Sequence, residues 1–155
     1  MRVLFDEDVE LWACDAICRD VGREAGRVDL LHAEPQACAS GERWMDWQDS
    51  EFENAWRYVF TALGRNNPDF NDPERIAAGI KEWNHCITIL ENQLLRTGAF
   101  AAGETFTLAD VVLGLSVNRW KMTPFDKPDV PAIEAWFERL NQRPAFLRHG
   151  NNGMI

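Results

Sequence analysis

The stretch Phe106-Thr107-Leu108-Ala109-Asp110-Val111-Val112-Leu113-Gly114-Leu115 constrains the fold more than any other part of the chain. Thr107 with Asp110 three residues on has the spacing of an N-terminal capping box. The Thr107 hydroxyl can accept from the Asp110 amide, and the Asp110 carboxylate can reach back to the Thr107 amide. Phe106 before the cap and Val111 four residues after it can close a hydrophobic staple. Beyond the cap the sequence is apolar on nearly every side, through Leu108, Ala109, Val111, Val112, Leu113, Leu115 and Val117. A helix apolar all round is a buried one, so other helices must surround it.

Those helices can be read from periodicity. A long helix begins near Gln36 or Glu42 and runs to about Asn66, with the stripe Met45, Phe52, Trp56, Val59, Leu63 and with Trp44 and Trp47 widening its face. Asp72-Pro73 then opens a second long helix, Asp72 as cap and Pro73 in the first turn, with the stripe Ile76, Ile80, Trp83, Ile87, Leu90, Leu94. Thr97-Gly98 closes it. The buried helix follows and ends near Met122. A shorter helix after Pro131 carries Ile133, Trp136, Phe137 and Leu140, and 143–147 form a further short turn of helix. Residues 150–155 read as a loose tail.

The front of the chain is different. Residues 2–5 and 9–12 are β-prone, with the turn-like Asp6-Glu7-Asp8 between them, so they read as a small hairpin. Alternation puts Val9, Leu11 and Ala13 on one face, Glu10 and Trp12 on the other. Residues 15–24 read as a short helix with Ala16, Ile17 and Val21 inward, and 28–41 as a connector. The fold expected is mainly α, a helical bundle behind a small N-terminal β-hairpin plus helix.

Composition narrows the chemistry. Twenty-five acidic residues against 16 basic ones leave a net charge of −9 with no lysine or arginine cluster, which argues against nucleic acid or an anionic membrane as partner. No apolar run is long enough to span a bilayer. The acids at 6–8 come too early for a secretory signal peptide, so the expected location is cytoplasmic. The four cysteines, Cys14, Cys18, Cys38 and Cys86, form no C-x-x-C pair, and there are three histidines, His32, His85 and His149. Reduced, buried thiols and no metal site are expected. Seven tryptophans imply either a bulky core or an aromatic-lined pocket. The acidic runs 6–8 and 46–53 read as solvated faces.

Three segments together resemble the glutathione S-transferase family: Arg43-Trp44-Met45-Asp46-Trp47-Gln48, then Gly103-Glu104-Thr105-Phe106-Thr107-Leu108-Ala109-Asp110 with Asn118-Arg119-Trp120, and Pro131-Ala132-Ile133-Glu134-Ala135-Trp136-Phe137-Glu138-Arg139-Leu140 followed by Arg143-Pro144-Ala145-Phe146. They span about 42–149 and match the family's all-helical C-terminal domain. Glu10-Leu11-Trp12-Ala13-Cys14-Asp15-Ala16-Ile17 resembles the end of its thioredoxin-like domain. The resemblance implies a remnant β–β–α over 1–34, a helical domain over 35–149 and a tail over 150–155.

Two departures from the family pattern shape the functional expectation. The family's first strand, with its catalytic Ser, Tyr or Cys, has no counterpart here, and Met1-Arg2 stands where the family has its cis-proline. The Glu-Ser pair that grips the γ-glutamyl group of glutathione reads Ala13-Cys14, so two polar contacts worth about 1–3 kcal/mol each are lost or weakened. Ala13, Cys14 and Asp15 are what remains of that site. The second-substrate positions implied by the family are Gln48, Phe52 and Trp56, facing Arg119 and Trp120. The resemblance therefore implies a truncated transferase-like chain without normal glutathione conjugation, keeping an apolar-ligand cleft and the family's dimer surface along the first long helix. The alternative is an active glutathione transferase or thiol-transfer enzyme using Cys14, placed near a helix N-terminus where a thiol can acidify, or a site completed by a partner subunit. No catalytic residue besides Cys14 suggests itself, and no cofactor is implied apart from glutathione as a ligand.

Overall fold

The structure, a computed structural model, describes residues 3–6 and 9–153. Met1, Arg2, Glu7 and Asp8, and with them most of the expected acidic turn, lie outside the described residues, as do Met154 and Ile155. The hairpin is present: β1 (Val3–Asp6) pairs antiparallel with β2 (Val9–Trp12), Val3 opposite Trp12 and Leu4 opposite Leu11. Leu4 and Leu11 share the half-buried face, while Phe5 and Trp12 are 74% and 60% exposed on the other.

Helix α1 (Cys14–Glu24) and the single turn α2 (Val28–Leu31) lead into the bundle. Val21, expected inward, is exposed. The buried face of α1 runs instead through Asp15, Cys18 and Gly22, because Gly22 lets the helix approach so closely that an added Cβ would stand 3.0 Å from Leu31 Cδ1.

Within the expected connector the long helix already begins. Glu34 caps α3 (Pro35–Trp47), its carboxylate accepting from the Ala37 amide at 2.8 Å, with Pro35 in the first turn. The rod continues through a π turn (Gln48–Phe52), α4 (Glu53–Val59) and a second π turn (Phe60–Gly64). The stripe Met45, Phe52, Trp56, Val59 is buried as its spacing demands. Asp72 caps α5 (Pro73–Thr97) by accepting from the Glu74 and Arg75 amides at 2.9 and 3.2 Å. Gly98 ends α5 at φ 74°, a left-handed conformation that favours glycine.

Helix α6 (Leu108–Met122) is the central helix, with α3 and both π turns against it. Helices α7 (Pro131–Asn141) and α8 (Pro144–His149) close the bundle, α7 laying Ile133, Trp136, Phe137 and Leu140 inward against α5. Five of the seven tryptophans, Trp44, Trp56, Trp83, Trp120 and Trp136, are buried, so the aromatic surplus is mainly core. The tail is not loose at its start. Gly150 and Asn151 both donate backbone N–H bonds to the Phe146 carbonyl, and the Asn151 amide donates to Asn141 Oδ1 at 2.9 Å. Among the described residues no helix is long and apolar enough to cross a membrane.

Candidate functional site

The corner between β2 and α1 is held under strain. Ala13 sits at φ 72°, ψ 123°, a region that costs a residue with a Cβ on the order of 1–3 kcal/mol and that recurs at ligand-binding turns. The twist sends the chain straight into α1, whose first residue is the exposed Cys14, while the Ala13 carbonyl accepts from Ile17. Asp15 turns inward and is only 9% exposed, and its Oδ2 has no hydrogen-bond partner among the described residues. Burial, then the nearby Asp49, push its carboxyl up to about 6, Asp46 and Glu53 adding to the rise and Arg19 opposing it. Burial raises the Cys18 thiol as well, with Asp15 beside it. Two ion pairs fasten α1 to the long helix, Arg19–Asp46 at 3.3 Å and Arg23–Glu42 at 3.0 Å. Both have exposed members, so each contributes at most about 1 kcal/mol.

Of the expected second-substrate positions, Trp56 and Arg119 meet across the seam between the long helix and α6, and Gln48 bonds across it to Ser116. Gln48 is buried and donates from Nε2 to Ser116 Oγ at 3.1 Å. Trp56 is 8% exposed, and the Arg119 guanidinium lies over its ring, 4.9 Å from the centroid. The Trp56 indole N–H is buried without a hydrogen-bond partner among the described residues. Burial pulls the Arg119 pKa down and Glu53 holds it up. Phe52 and Trp120 are core side chains, the Trp120 N–H donating to Asn84 Oδ1 at 2.9 Å. At the seam Arg119 is half-buried, while Gln48 and Trp56 are buried.

Asp110 fixes where α6 stands. The capping box with Thr107 is formed. Beyond it, Asp110 Oδ1 accepts from the Ala101 amide and from Trp136 Nε1, both at 2.9 Å, and Oδ2 accepts from the Thr107 amide at 2.9 Å and its hydroxyl at 3.3 Å. One carboxylate thus ties the loop before α6, the cap and α7 into a unit. Burial raises its pKa, and the donors pull the other way.

Two roomy cavities open elsewhere on the bundle. One, about 480 Å³, lies between α3 and α5 beside Arg43, Trp44, Trp47 and Arg96. The other, about 370 Å³, lies between α2, α6 and α8. Among the described residues no three or more histidine, cysteine, aspartate or glutamate side chains gather as metal ligands would.

This architecture, a capped central helix ringed by two long helices and two short ones behind a β–β–α piece, is that of a glutathione-transferase C-terminal domain. The family model for the glutathione S-transferase C-terminal domain matches residues 57–144, and the chain belongs to the glutathione S-transferase family. It is 27% identical over 143 residues to glutathione S-transferase GstB of Escherichia coli strain K12, covering 92% of this chain and 68% of that protein. It is 26% identical over 144 residues to the disulfide-bond oxidoreductase YfcG of the same strain, covering 90% of this chain and 62% of that one. Among solved structures, the theta class glutathione S-transferase of Xanthomonas axonopodis pv. citri with glutathione bound superimposes with a TM-score of 0.86 at 30% identity, over 96% of this chain and 70% of that chain.

Sequence reasoning missed the burial of Asp15 and the reach of Asp110 to Trp136. The first was legible in principle, since Asp15, Cys18 and Gly22 share one helical face whose small members invite close packing. The second joins residues 26 apart, and nothing in the local sequence marks it.

Proposed function

We propose that these 155 residues form the second-substrate half of a glutathione transferase and bind an apolar, flat ligand at the seam of the long helix and α6. The residues assigned to it are Gln48, Phe52, Trp56, Arg119 and Trp120, of which Phe52 and Trp120 are core side chains. The observation that carries the reading is the stacked pair of Arg119 and Trp56, a half-buried cation over an indole whose N–H has no partner among the described residues. A ligand with an aromatic face and an acceptor oxygen would lie on the exposed edge of Trp56 and accept from the half-buried Arg119 guanidinium.

These residues do not carry out normal glutathione conjugation. Ala13 and Cys14 offer a methyl and a thiol where the family places a carboxylate and a hydroxyl. Asp15 is turned away from solvent. We assign 1–34 to the thioredoxin-like portion, 35–149 to the helical domain and 150–155 to its tail. The protein works in the cytoplasm with its cysteines reduced. It forms a homodimer across the groove between α3 and α5, where Trp47 and Ile89 line an open recess.

Quenching of tryptophan fluorescence by an apolar aromatic dye tests the ligand reading. Saturable quenching by the native chain, weakened about tenfold in Arg119→Ala, is the outcome expected from losing one cation–π contact near a buried ring. Quenching that never saturates, or that ignores Arg119, would sink it. Light scattering at micromolar concentration tests the dimer, and a monomer there contradicts it.

A further inference from the structure

The cavity between α2, α6 and α8 lies away from the seam and has its own chemistry. Leu30, Phe106, Val111, Leu115, Ala145 and Phe146 make its interior apolar. Arg27, Arg143 and His149 supply its polar wall, and no acidic side chain lines it, in a chain whose net charge is −9. The three basic residues are not equivalent. Arg27 is already committed, donating from Nε and an Nη to both Asp29 oxygens at 2.8 and 2.7 Å. The Arg143 guanidinium lies over Phe106, 3.7 Å from the ring centroid, within electrostatic reach of Asp29, and makes no side-chain hydrogen bond among the described residues. Its guanidinium edge therefore keeps a fork of donors at the mouth of an apolar recess, and that fork matches a carboxylate.

We propose that this cavity binds a medium-chain aliphatic carboxylate, the chain among Leu30, Val111, Leu115 and Phe146 and the carboxylate on Arg143. The volume, about 370 Å³, lies in the range of small-molecule sites. A single guanidinium free of side-chain hydrogen bonds among the described residues, with the Asp29 charge already near it, suits one negative charge better than a phosphate or sulfate. The mostly aliphatic lining suits an alkyl tail better than a fused aromatic. A second copy of the chain is a poorer occupant, because a stable partner needs about 800 Å² of surface on each side and this is a concave recess.

The experiment is a calorimetric titration of the whole chain with decanoate below its micelle concentration, with decanol as the neutral control and with methyl carbon–proton NMR spectra recorded alongside. The expected result is saturable one-to-one binding of decanoate, decanol at least about tenfold weaker, and shifts confined to the methyls of Leu30, Val111, Leu115 and Ala145. Arg143→Gln, a change at an exposed residue, weakens decanoate about tenfold and leaves decanol unchanged. Leu115→Trp fills the recess and abolishes binding of both, with its circular dichroism unchanged. Equal binding of acid and alcohol, shifts that map to the Trp56–Arg119 seam instead, or binding indifferent to both variants overturns the proposal. So does an absence of binding accompanied by a change in oligomeric state in Leu115→Trp, which would make the recess a contact between copies. None of these readouts depends on the ligand proposed for the seam, so the two sites stand or fall separately.

Discussion

Replacing Asp15 by asparagine should stabilise this protein at neutral pH. The carboxyl is buried, one oxygen lacks a partner among the described residues, and Asp49, Asp46 and Glu53 stand around it against a single Arg19. Its pKa in the folded chain is about 6, against 3.8 for the ordinary group. A carboxyl whose folded pKa is raised binds its proton more tightly when folded. Its contribution is fully present below pH 3.8, is lost as pH rises toward about 6, and above that the charge opposes folding. At about 1.4 kcal/mol per pH unit the full difference is about 3 kcal/mol. Solvent near the α1 corner screens part of it, so roughly 1–2 kcal/mol is expected. Urea unfolding followed by tryptophan fluorescence, at one fixed protein concentration, measures it at pH 7.5 and at pH 4. Comparing native and Asp15→Asn chains at each pH removes the titration of every other carboxyl. The variant should be more stable by that amount at pH 7.5 and indistinguishable at pH 4. A variant less stable at pH 7.5, or a gap of equal size at both values, would refute an unpaired buried carboxylate.

Four further substitutions probe the fold around the seam and the β2–α1 corner. Asp110→Ala removes the acceptor of four hydrogen bonds at the head of α6 and should cost about 3–5 kcal/mol in chemical denaturation, while Thr107→Ala, which removes one hydroxyl, should cost about 1. Gly114→Ala should destabilise by about 1–3 kcal/mol in the same assay, because its Cβ would stand 2.8 Å from both Leu140 Cδ1 and Phe146 Cε2. Ala13→Gly relieves the strain at φ 72° and should raise the melting midpoint, by up to about 1 kcal/mol in stability; a loss there would mean that the turn is not strained.

The helices were legible where local chemistry decides them. Asp72-Pro73 and Thr97-Gly98 mark both ends of α5 because a cap and a left-handed glycine are properties of a few adjacent residues. The capping box of α6 was visible for the same reason. Periodicity placed Phe52, Trp56, Trp83 and Trp136 inside, and they are inside. What escaped was set by distant partners. Val21 reads as an inward residue until Gly22 is seen to bring α1 down on Leu31 along a different face. The two π turns of the long rod are adjustments to packing with no motif of their own. Residues 150–151 looked like a tail, but the Phe146 carbonyl and Asn141 hold them. At the seam, the positions named by the family resemblance include Trp56 and Arg119, which meet, and Gln48, which bonds across to Ser116. The resemblance did not distinguish Phe52 and Trp120, which are fully buried, from the half-buried Arg119.

The most direct test mixes glutathione, a chlorinated dinitrobenzene and the purified 155-residue chain, and follows the conjugate by absorbance. If these residues hold an apolar ligand and Ala13 and Cys14 do not activate the tripeptide's thiol, the rate stays at the uncatalysed level and does not change in Cys14→Ala. A rate accelerated by three or more orders of magnitude, as enzymes routinely achieve, would show that the thiol is activated here after all, and its loss in Cys14→Ala would name the residue responsible.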